Sequence, residues 1–454
     1  MNIHFIAIGG AAMHNLAITL KQKGYRVTGS DDEIVEPSKS RLEQHGLLPG
    51  SFGWDVNRIT SGLDAVILGM HAREDNPELA KARDLGIKIY SYPEFLYEQT
   101  KHKTRIVIGG SHGKTTITSM IMHVLKENNV DFDYMVGAQI EGFDTMVRLS
   151  DSAKIAIFEG DEYLSSPIDR RPKFHLYQPQ IGLLSGIAWD HINVFPTFDN
   201  YVEQFREFAR LMPDKAHLIY FDGDENLRKI ASENAPRLKV TGYNEHAADV
   251  TDGRTQLITA NGQHIGLTIF GRHNLQNISG AHVICQQLGI TDEDFYRSIS
   301  TFSGASRRLE KLAETNNMTV FRDFAHSPSK LKATVEAVKQ QFPGRQLTAV
   351  MELHTFSSLK KEFLPLYKDS MEKADRAFVY FSPHTIEHKK LEPITTDQVK
   401  EAFGRDDLQV FTDPDALFSA LENVPHNNQN LLLMSSGTFS GKDLPAFAKS
   451  LTEE

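Results

Sequence analysis

The chain has 454 residues, of which 40% are hydrophobic and 24% charged, with a formal net charge of −10. That length exceeds one ordinary hydrophobic core and predicts several domains, and the acidic balance excludes a general nucleic-acid or anionic-membrane partner, which would call for a basic face. The single cysteine, Cys285, excludes an intrachain disulfide and a cysteine-based metal cluster, and fits a reducing, cytoplasmic setting. The chain opens on "MNIHFIAIGG", a strand leading into a turn, without the basic start and long apolar core of a secretory leader. No apolar run along the sequence is long enough for a membrane span. After the first strand, Met13, Leu16, Ala17 and Leu20 recur on one helical face. "YRVTGSD", "DAVILGM" and "GIKIYSYPEFL" follow as expected strands, and "QTKHKTR" (99–105) reads as a polar linker. Strands alternating with helices predict a parallel, doubly wound sheet.

The first turn, "AIGGAAM", sits where a dinucleotide fingerprint would fall, but Ala7, Gly9 and Ala12 occupy its diagnostic positions. Asp31 ends the second strand, where a ribose-binding acid would stand. Read by itself, this loop admits a nicotinamide dinucleotide, a non-redox nucleotide or purely structural use. Its free N–H groups suit a diphosphate.

A second phosphate-type loop begins at "RIVIGGSHGKTTIT". Ile108 stands where the full P-loop consensus wants its first glycine, yet G-S-H-G-K-T-T keeps the working chemistry. Glycines let backbone N–H groups approach phosphate oxygens, Lys114 supplies a cation for the β- and γ-phosphates, and the Thr115 hydroxyl suits Mg2+. The following helix carries Ile117, Met120, Ile121, Val124 and Leu125 on one stripe. The strand in "KIAIFEGDE" then runs into Glu159, Asp161 and Glu162, at a strand end where a metal-binding acid is wanted. "IGLLSGIAWDH" places Asp190 and His191 after another apolar run; a lone histidine is as commonly structural as ligating in such a place. Past residue 301, "TVFRDFAH", "LTAVMEL", "RAFVYFS" and "NLLLMSSG" read as strands of a further α/β unit.

Taken in order, "HFIAIGGAAM…VTGSD", "GGSHGKTT", "FEGDEY", "WDH", "GRHNLQN", "RRLE", "DFAHSP" and "MSSGTFSG" resemble the Mur ligase family, the ATP-dependent amide-forming enzymes of cell-wall synthesis. The resemblance runs over essentially the whole chain. It implies an α/β protein of three domains: a Rossmann-like domain over 1–103 for the UDP-sugar, a central P-loop ATPase-like domain with a parallel sheet over 104–300, and a Rossmann-like domain over 301–454 for the incoming amino compound. ATP and Mg2+ are the implied cofactors. The implied acceptor is UDP-N-acetylmuramate, touched by Gly9, Gly10, Ala11, Ala12, Met13, Ser30, Asp31, Asn76, Arg170 and Arg171.

For the nucleotide, the resemblance implies Gly110, Ser111, His112, Gly113, Lys114, Thr115 and Thr116, with His273, Asn274 and Asn277 at the adenosine and Arg308, Asp323 and His326 reaching in from the third domain. Lys114, Glu159 and His191 take the catalytic roles, and Thr115, Glu159 and His191 the metal. The acceptor carboxylate would attack the γ-phosphate, and the donor amine would displace phosphate from the resulting acyl phosphate. "DEYLSSPIDRRPKF" is similar to the branch that attaches the murein tripeptide L-Ala-γ-D-Glu-meso-diaminopimelate, rather than to the L-alanine-adding branch with its D-E-S-D type sequence. The alternatives are that L-alanine branch and a non-catalytic ATP-binding scaffold. Arg206 stands where several members carry a carbamylated lysine, so no carbamate is expected, and His354 and Thr355 stand where the third domain would hold an arginine for the donor.

Overall fold

The structure is a computed structural model that describes residues 1–190, 194–251, 253–425 and 427–452. The chain divides into two compact units. The first comprises Met1–Ile187, Phe198–Asn244 and Gly280–Phe295; the second comprises Ala188–Thr197, Glu245–Ser279 and Tyr296–Glu454.

Two sheets build the first unit. A four-stranded parallel sheet runs in the order Arg26–Ser30, Asn2–Ile6, Ala65–Leu68, Lys88–Ser91. Its inner strands are buried over Ile3–Ile6 and Ala65–Leu68, which is why "AVIL" reads as an unbroken apolar run rather than an alternating one. A seven-stranded sheet places Thr104–Gly109 at its centre, between Ile155–Glu159 and Ile181–Leu184. All its strands are parallel except the two-residue edge strand Val147–Arg148. The helix Lys114–Glu127 packs the stripe from Ile117 to Leu125 against this sheet.

Two expectations are corrected here. "GIKIYSYPEFL" is not one strand: only Lys88–Ser91 is extended, and a helix, Tyr92–Thr100, follows at once. Ser91 and Glu94 form a reciprocal capping box there, and Pro93 sits in the first turn, where a missing N–H costs nothing. Nor is 99–105 a solvated linker. Lys103 is buried against Asp133 at 2.5 Å, and Arg105 is buried with its guanidinium donating to the carbonyls of Tyr177, Thr100 and Gln178. Removing one partner of a pair buried this way costs about 3–5 kcal/mol, so these side chains anchor the chain rather than loosen it.

The second unit contains a six-stranded sheet in the order Glu310–Glu314, Met318–Asp323, Gln429–Met434, Gln346–Leu353, Arg376–Phe381, Gln409–Phe411. Only the Glu310–Glu314 edge is antiparallel. A small antiparallel sheet of Ala248–Thr251, Arg254–Ile258 and His264–Gly266 belongs to the same unit; its short, mostly exposed strands give no apolar pattern to read.

Candidate active site

Strand register explains the phosphate loop. Ile108 pairs with Glu159 and Gly109 with Leu184, so the loop leaves the sheet at the carboxyl ends of parallel strands, where open α/β sheets bind ligands. Gly110 turns the chain at φ +130°, and Gly113, at φ +77°, opens the helix that Lys114 begins. Ser185 braces the loop from the next strand: its N–H donates to Gly109 O at 3.0 Å and its hydroxyl to His112 O. The Ser111 N–H donates to Gly186 O at 2.9 Å.

Lys114 Nζ lies 2.7 Å from Glu162 Oε2 and 2.6 Å from Gly110 O. Burial alone would lower its pKa, but Glu162, Asp161 and Glu159 outweigh burial and raise it, so the ammonium is held charged. The Tyr201 hydroxyl donates to Glu162 Oε1 at 2.9 Å and lies 2.9 Å from Ser111 Oγ. Beside this cation, Thr115 Oγ1 donates to Glu159 Oε1 at 2.8 Å, and Gly137 N–H to Glu159 Oε2 at 2.6 Å. Thr116 and Ser111 are buried; His112 is half-buried.

A hydroxyl and a carboxylate at the foot of a glycine loop are hard oxygen donors, and they fit Mg2+, which keeps several waters and takes the rest of its shell from phosphates. Among the described residues no group of three or more His, Cys, Asp or Glu side chains gathers to hold a metal. The third expected metal ligand, His191, lies outside the described residues. Glu162, read from sequence as one of three candidate metal-binding acids, instead pairs with Lys114. Tyr201 carries no role in the sequence reading; it sits on the apolar stripe with Phe205 and Phe208 and looks like core.

At the first turn, Ala7 adopts φ +65° and the helix Ala11–Gln22 begins at Gly10 without a side-chain cap. Ala11 and Ala12 lie at this surface, and Met13 is buried beneath it. Gly9 N–H donates to Asp31 Oδ2 at 2.7 Å, and a Cβ on Gly9 would lie 2.9 Å from that oxygen. Ser30 and Asn76 are placed differently from expectation. Ser30 is fully buried and donates its hydroxyl to Glu78, which also faces His4; Asn76 accepts from the Glu78 and Leu79 N–H groups as a helix cap. Ser30 serves the interior because the buried Glu78 carboxylate needs donors, and Asn76 because the free N–H groups of the helix start need an acceptor. Arg170 is exposed, and Arg171 pairs with Asp169 at 2.6 Å across a tight turn closed by a Leu164–Pro172 bridge.

Burial pushes the Asp31 carboxyl up to about 6, against the pull of the Gly9 N–H. The folded state therefore keeps this proton longer than the unfolded chain, whose aspartate titrates near ~3.9. Stability from this group is greatest below about pH 4 and is lost as pH rises through about 6. In urea melts, Asp31→Asn should gain on wild type between about pH 4 and 7 by less than one proton's slope, then run parallel above. Parallel behaviour throughout would give Asp31 an ordinary carboxyl.

In the second unit, Asp323 organises the "DFAHSP" turn: Oδ2 accepts from Leu309 N–H at 2.6 Å and Oδ1 from Ala325 N–H at 2.7 Å. Arg308 stacks its guanidinium 4.7 Å from the Phe324 ring centre. His326 Nδ1 donates to Phe324 O at 2.8 Å, and burial, with Lys330 nearby, pushes its pKa down to about 3. The helix Arg272–Gln287 carries His273, whose pKa burial lowers against the Asp323 charge, and Asn274 and Asn277, which bond each other at 3.4 Å while Asn274 Nδ2 donates to Phe270 O. At the carboxyl ends of Gln346–Leu353 and Gln429–Met434, buried Glu352 accepts from Phe439 N–H at 2.9 Å and lies 3.8 Å from His354 Nδ1. Thr355 Oγ1 is 3.0 Å from Ser358 Oγ. In the first unit, Arg206 is taken up by Glu203 and Glu233.

Three family patterns match along the chain: the Mur ligase family catalytic domain at 2–104, the Mur ligase middle domain at 108–285 and the Mur ligase glutamate ligase domain at 307–437. The UDP-N-acetylmuramate–L-alanine ligase of Caldicellulosiruptor bescii is 33% identical over 83% of this chain and 82% of its own. The chain belongs to the Mur ligase family. This Mur ligase is therefore an ATP- and Mg2+-dependent enzyme that forms amide bonds in peptidoglycan synthesis. The UDP-N-acetylmuramate–L-alanyl-γ-D-glutamyl-meso-2,6-diaminoheptandioate ligase of Haemophilus influenzae is 26% identical over 97% of both chains. The crystal structure of the UDP-N-acetylmuramate–alanine ligase of Thermotoga maritima superposes with a TM-score of 0.73 at 19% identity, covering 100% of this Mur ligase and 98% of that chain; it speaks for the fold alone.

Proposed function

We propose that this Mur ligase joins the carboxylate of UDP-N-acetylmuramate to the amine of L-Ala-γ-D-Glu-meso-diaminopimelate, as in the cytoplasmic recycling of wall peptides. The acceptor is the part common to both kinds of named relative, which differ only in the amine they add. The observation that carries the tripeptide is the 161–174 segment. It departs from the D-E-S-D type and folds as a self-braced turn: Lys173 reaches back to Asp161 at 2.5 Å, Arg171 N's partner oxygen sits on Asp169, and Ser165 N–H donates to Arg171 O at 3.0 Å. The relative that adds the peptide also aligns from end to end. The higher identity to an L-alanine-adding enzyme favours a second reading, in which free L-alanine is the amine.

The proposed domains are 1–103 for the UDP-sugar, 104–300 for ATP and 301–454 for the amine. Gly9 to Met13 take the diphosphate end of the acceptor at the uncapped helix start and Asp31 a ribose hydroxyl, with Arg170 and Arg171 as further cations for the acceptor. Lys114 and the Gly110–Thr116 N–H groups hold the triphosphate; Thr115 and Glu159, with His191, hold Mg2+. Bound there, Mg2+ neutralises phosphate charge. The acceptor carboxylate attacks the γ-phosphate, ADP leaves, and the amine then displaces phosphate from the acyl carbon. Lys114 does its work by offsetting charge on the transferring group rather than by moving a proton, since Glu162 holds it as an ammonium. His273, Asn274, Asn277, Arg308, Asp323 and His326 complete the nucleotide contacts.

Phosphate release from Mg-ATP and UDP-N-acetylmuramate tests the assignment, with the tripeptide and L-alanine supplied separately. Release with the tripeptide, matched by the mass of the UDP-muramyl-tripeptide, is expected. Release with L-alanine alone would transfer the protein to the second reading, and ATP binding without turnover on either amine would leave a scaffold.

A further inference from the structure

The helix Pro328–Gln341 carries a cation where a helix least favours one. Lys330 lies in its first turn, beside the positive end of the helix dipole, a placement that is unfavourable unless an anion answers it. The anion is Asp190: Lys330 Nζ lies 3.1 Å from Asp190 Oδ2, with the aspartate buried and the lysine side chain only 18% exposed. The same ammonium lies 3.4 Å from His326 Nε2. His326 Nδ1 faces the carbonyl of Phe324 and must carry the ring proton, so Nε2 presents a lone pair to Lys330. The Tyr367 hydroxyl donates to the backbone carbonyl of His326 at 2.6 Å and holds the main chain there. One lysine thus touches the acid of the "WDH" segment and the histidine of "DFAHSP", which lie 136 positions apart in sequence (326 less 190).

We propose that Lys330 is a positioning residue of the ligase, clasping the Asp190 carboxylate and the His326 ring so that both are presented in one arrangement. The clasp rests on the reading of His326 as a nucleotide-facing group. Lys330 itself need not touch substrate; it fixes the rotamer and tautomer of a ring that does. Misplacing such a group by about 1 Å costs on the order of a hundredfold in rate.

The experiment compares wild type with Lys330→Gln, Lys330→Arg, His326→Ala and the Lys330→Gln/His326→Ala double variant, using phosphate release with whichever amine wild type accepts. Lys330→Gln should lower kcat by about 10- to 100-fold with the KM for the amine nearly unchanged, Lys330→Arg should restore most of it, and adding His326→Ala should cost little more. Nitrogen NMR of histidine-labelled protein should show the His326 Nε2 resonance moving in Lys330→Gln. A kcat within about threefold of wild type, or multiplicative loss in the double variant, overturns the positioning role. An unmoved resonance overturns the clasp even if activity falls. A folded wild type inactive on both amines overturns the ligase reading instead, and the NMR arm separates the two failures.

Discussion

A Lys114→Met variant should keep its folded sheets and lose ATP-dependent ligation by about a thousandfold or more, measured as phosphate release at saturating ATP and acceptor. Lys114 Nζ lies 2.6 Å from the loop carbonyl of Gly110, and the raised pKa of Lys114 keeps it charged across the working range. The substitution also has a structural consequence. Glu162 is buried, with one oxygen on Lys114 and the other on Tyr201; without the lysine it keeps a hydroxyl donor and loses its counter-charge. Breaking a buried pair from one side costs roughly 3 kcal/mol, so the urea midpoint should fall as well. Adding Glu162→Gln removes the orphaned charge and should recover much of the stability while recovering no activity. That divergence separates the lysine's two duties. A Lys114→Met enzyme working within tenfold of wild type would remove Lys114 from the phosphate-transfer step.

What the sequence made readable here follows from how local each signal is. The phosphate loop is contiguous, so its glycines, lysine and threonine could be read despite Ile108 breaking the consensus. Glu159 was readable because a parallel strand must end beside that loop. Tyr201 was not: it reaches Glu162 from 39 residues away and shares its helix stripe with Phe205 and Phe208, so nothing in its pattern separates a hydroxyl put to use from core packing. Lys103 and Arg105 misled for the complementary reason. A buried paired charge and a solvated one are spelled alike, and only Asp133 and the Tyr177 carbonyl, both distant in sequence, decide between them. The helix at Tyr92–Thr100 had a legible start in Ser91, Pro93 and Glu94, but the preceding apolar residues pulled the reading toward strand. Ser30, at a strand end, and Asn76, before a helix, look ligand-facing until the buried Glu78 carboxylate takes the first and the helix N–H groups take the second. Lys330 was hidden most completely, since its two partners come from opposite sides of the sequence division between central and third domains.

Gly110→Ala should abolish ligation nearly as fully as loss of Lys114, without removing any functional group. At φ +130° the backbone stands in a region essentially reserved for glycine, and a residue forced there costs about 1–3 kcal/mol. Space is the larger obstacle. An added Cβ would collide with Ser185 Oγ and lie 2.9 Å from Ser185 N, and Ser185 cannot withdraw, because its N–H and hydroxyl hold Gly109 O and His112 O. The loop must therefore move, carrying with it the Gly110 carbonyl that Lys114 Nζ bonds at 2.6 Å. A shift of about 1 Å in such a group is worth on the order of a hundredfold in rate, and here the cation and the N–H cradle shift together. The expected signature is a loss of at least a hundredfold in kcat/KM for ATP, with far-UV circular dichroism unchanged and a lowered thermal midpoint. Gly110→Ala combined with Ser185→Gly removes the clash with the serine side chain but neither the 2.9 Å approach to the backbone N at 185 nor the φ, so it should recover stability further than activity. Full recovery of both would place the obstacle at Ser185 alone and make the left-handed turn dispensable; no loss in the single variant would mean that this loop is not where ATP is held.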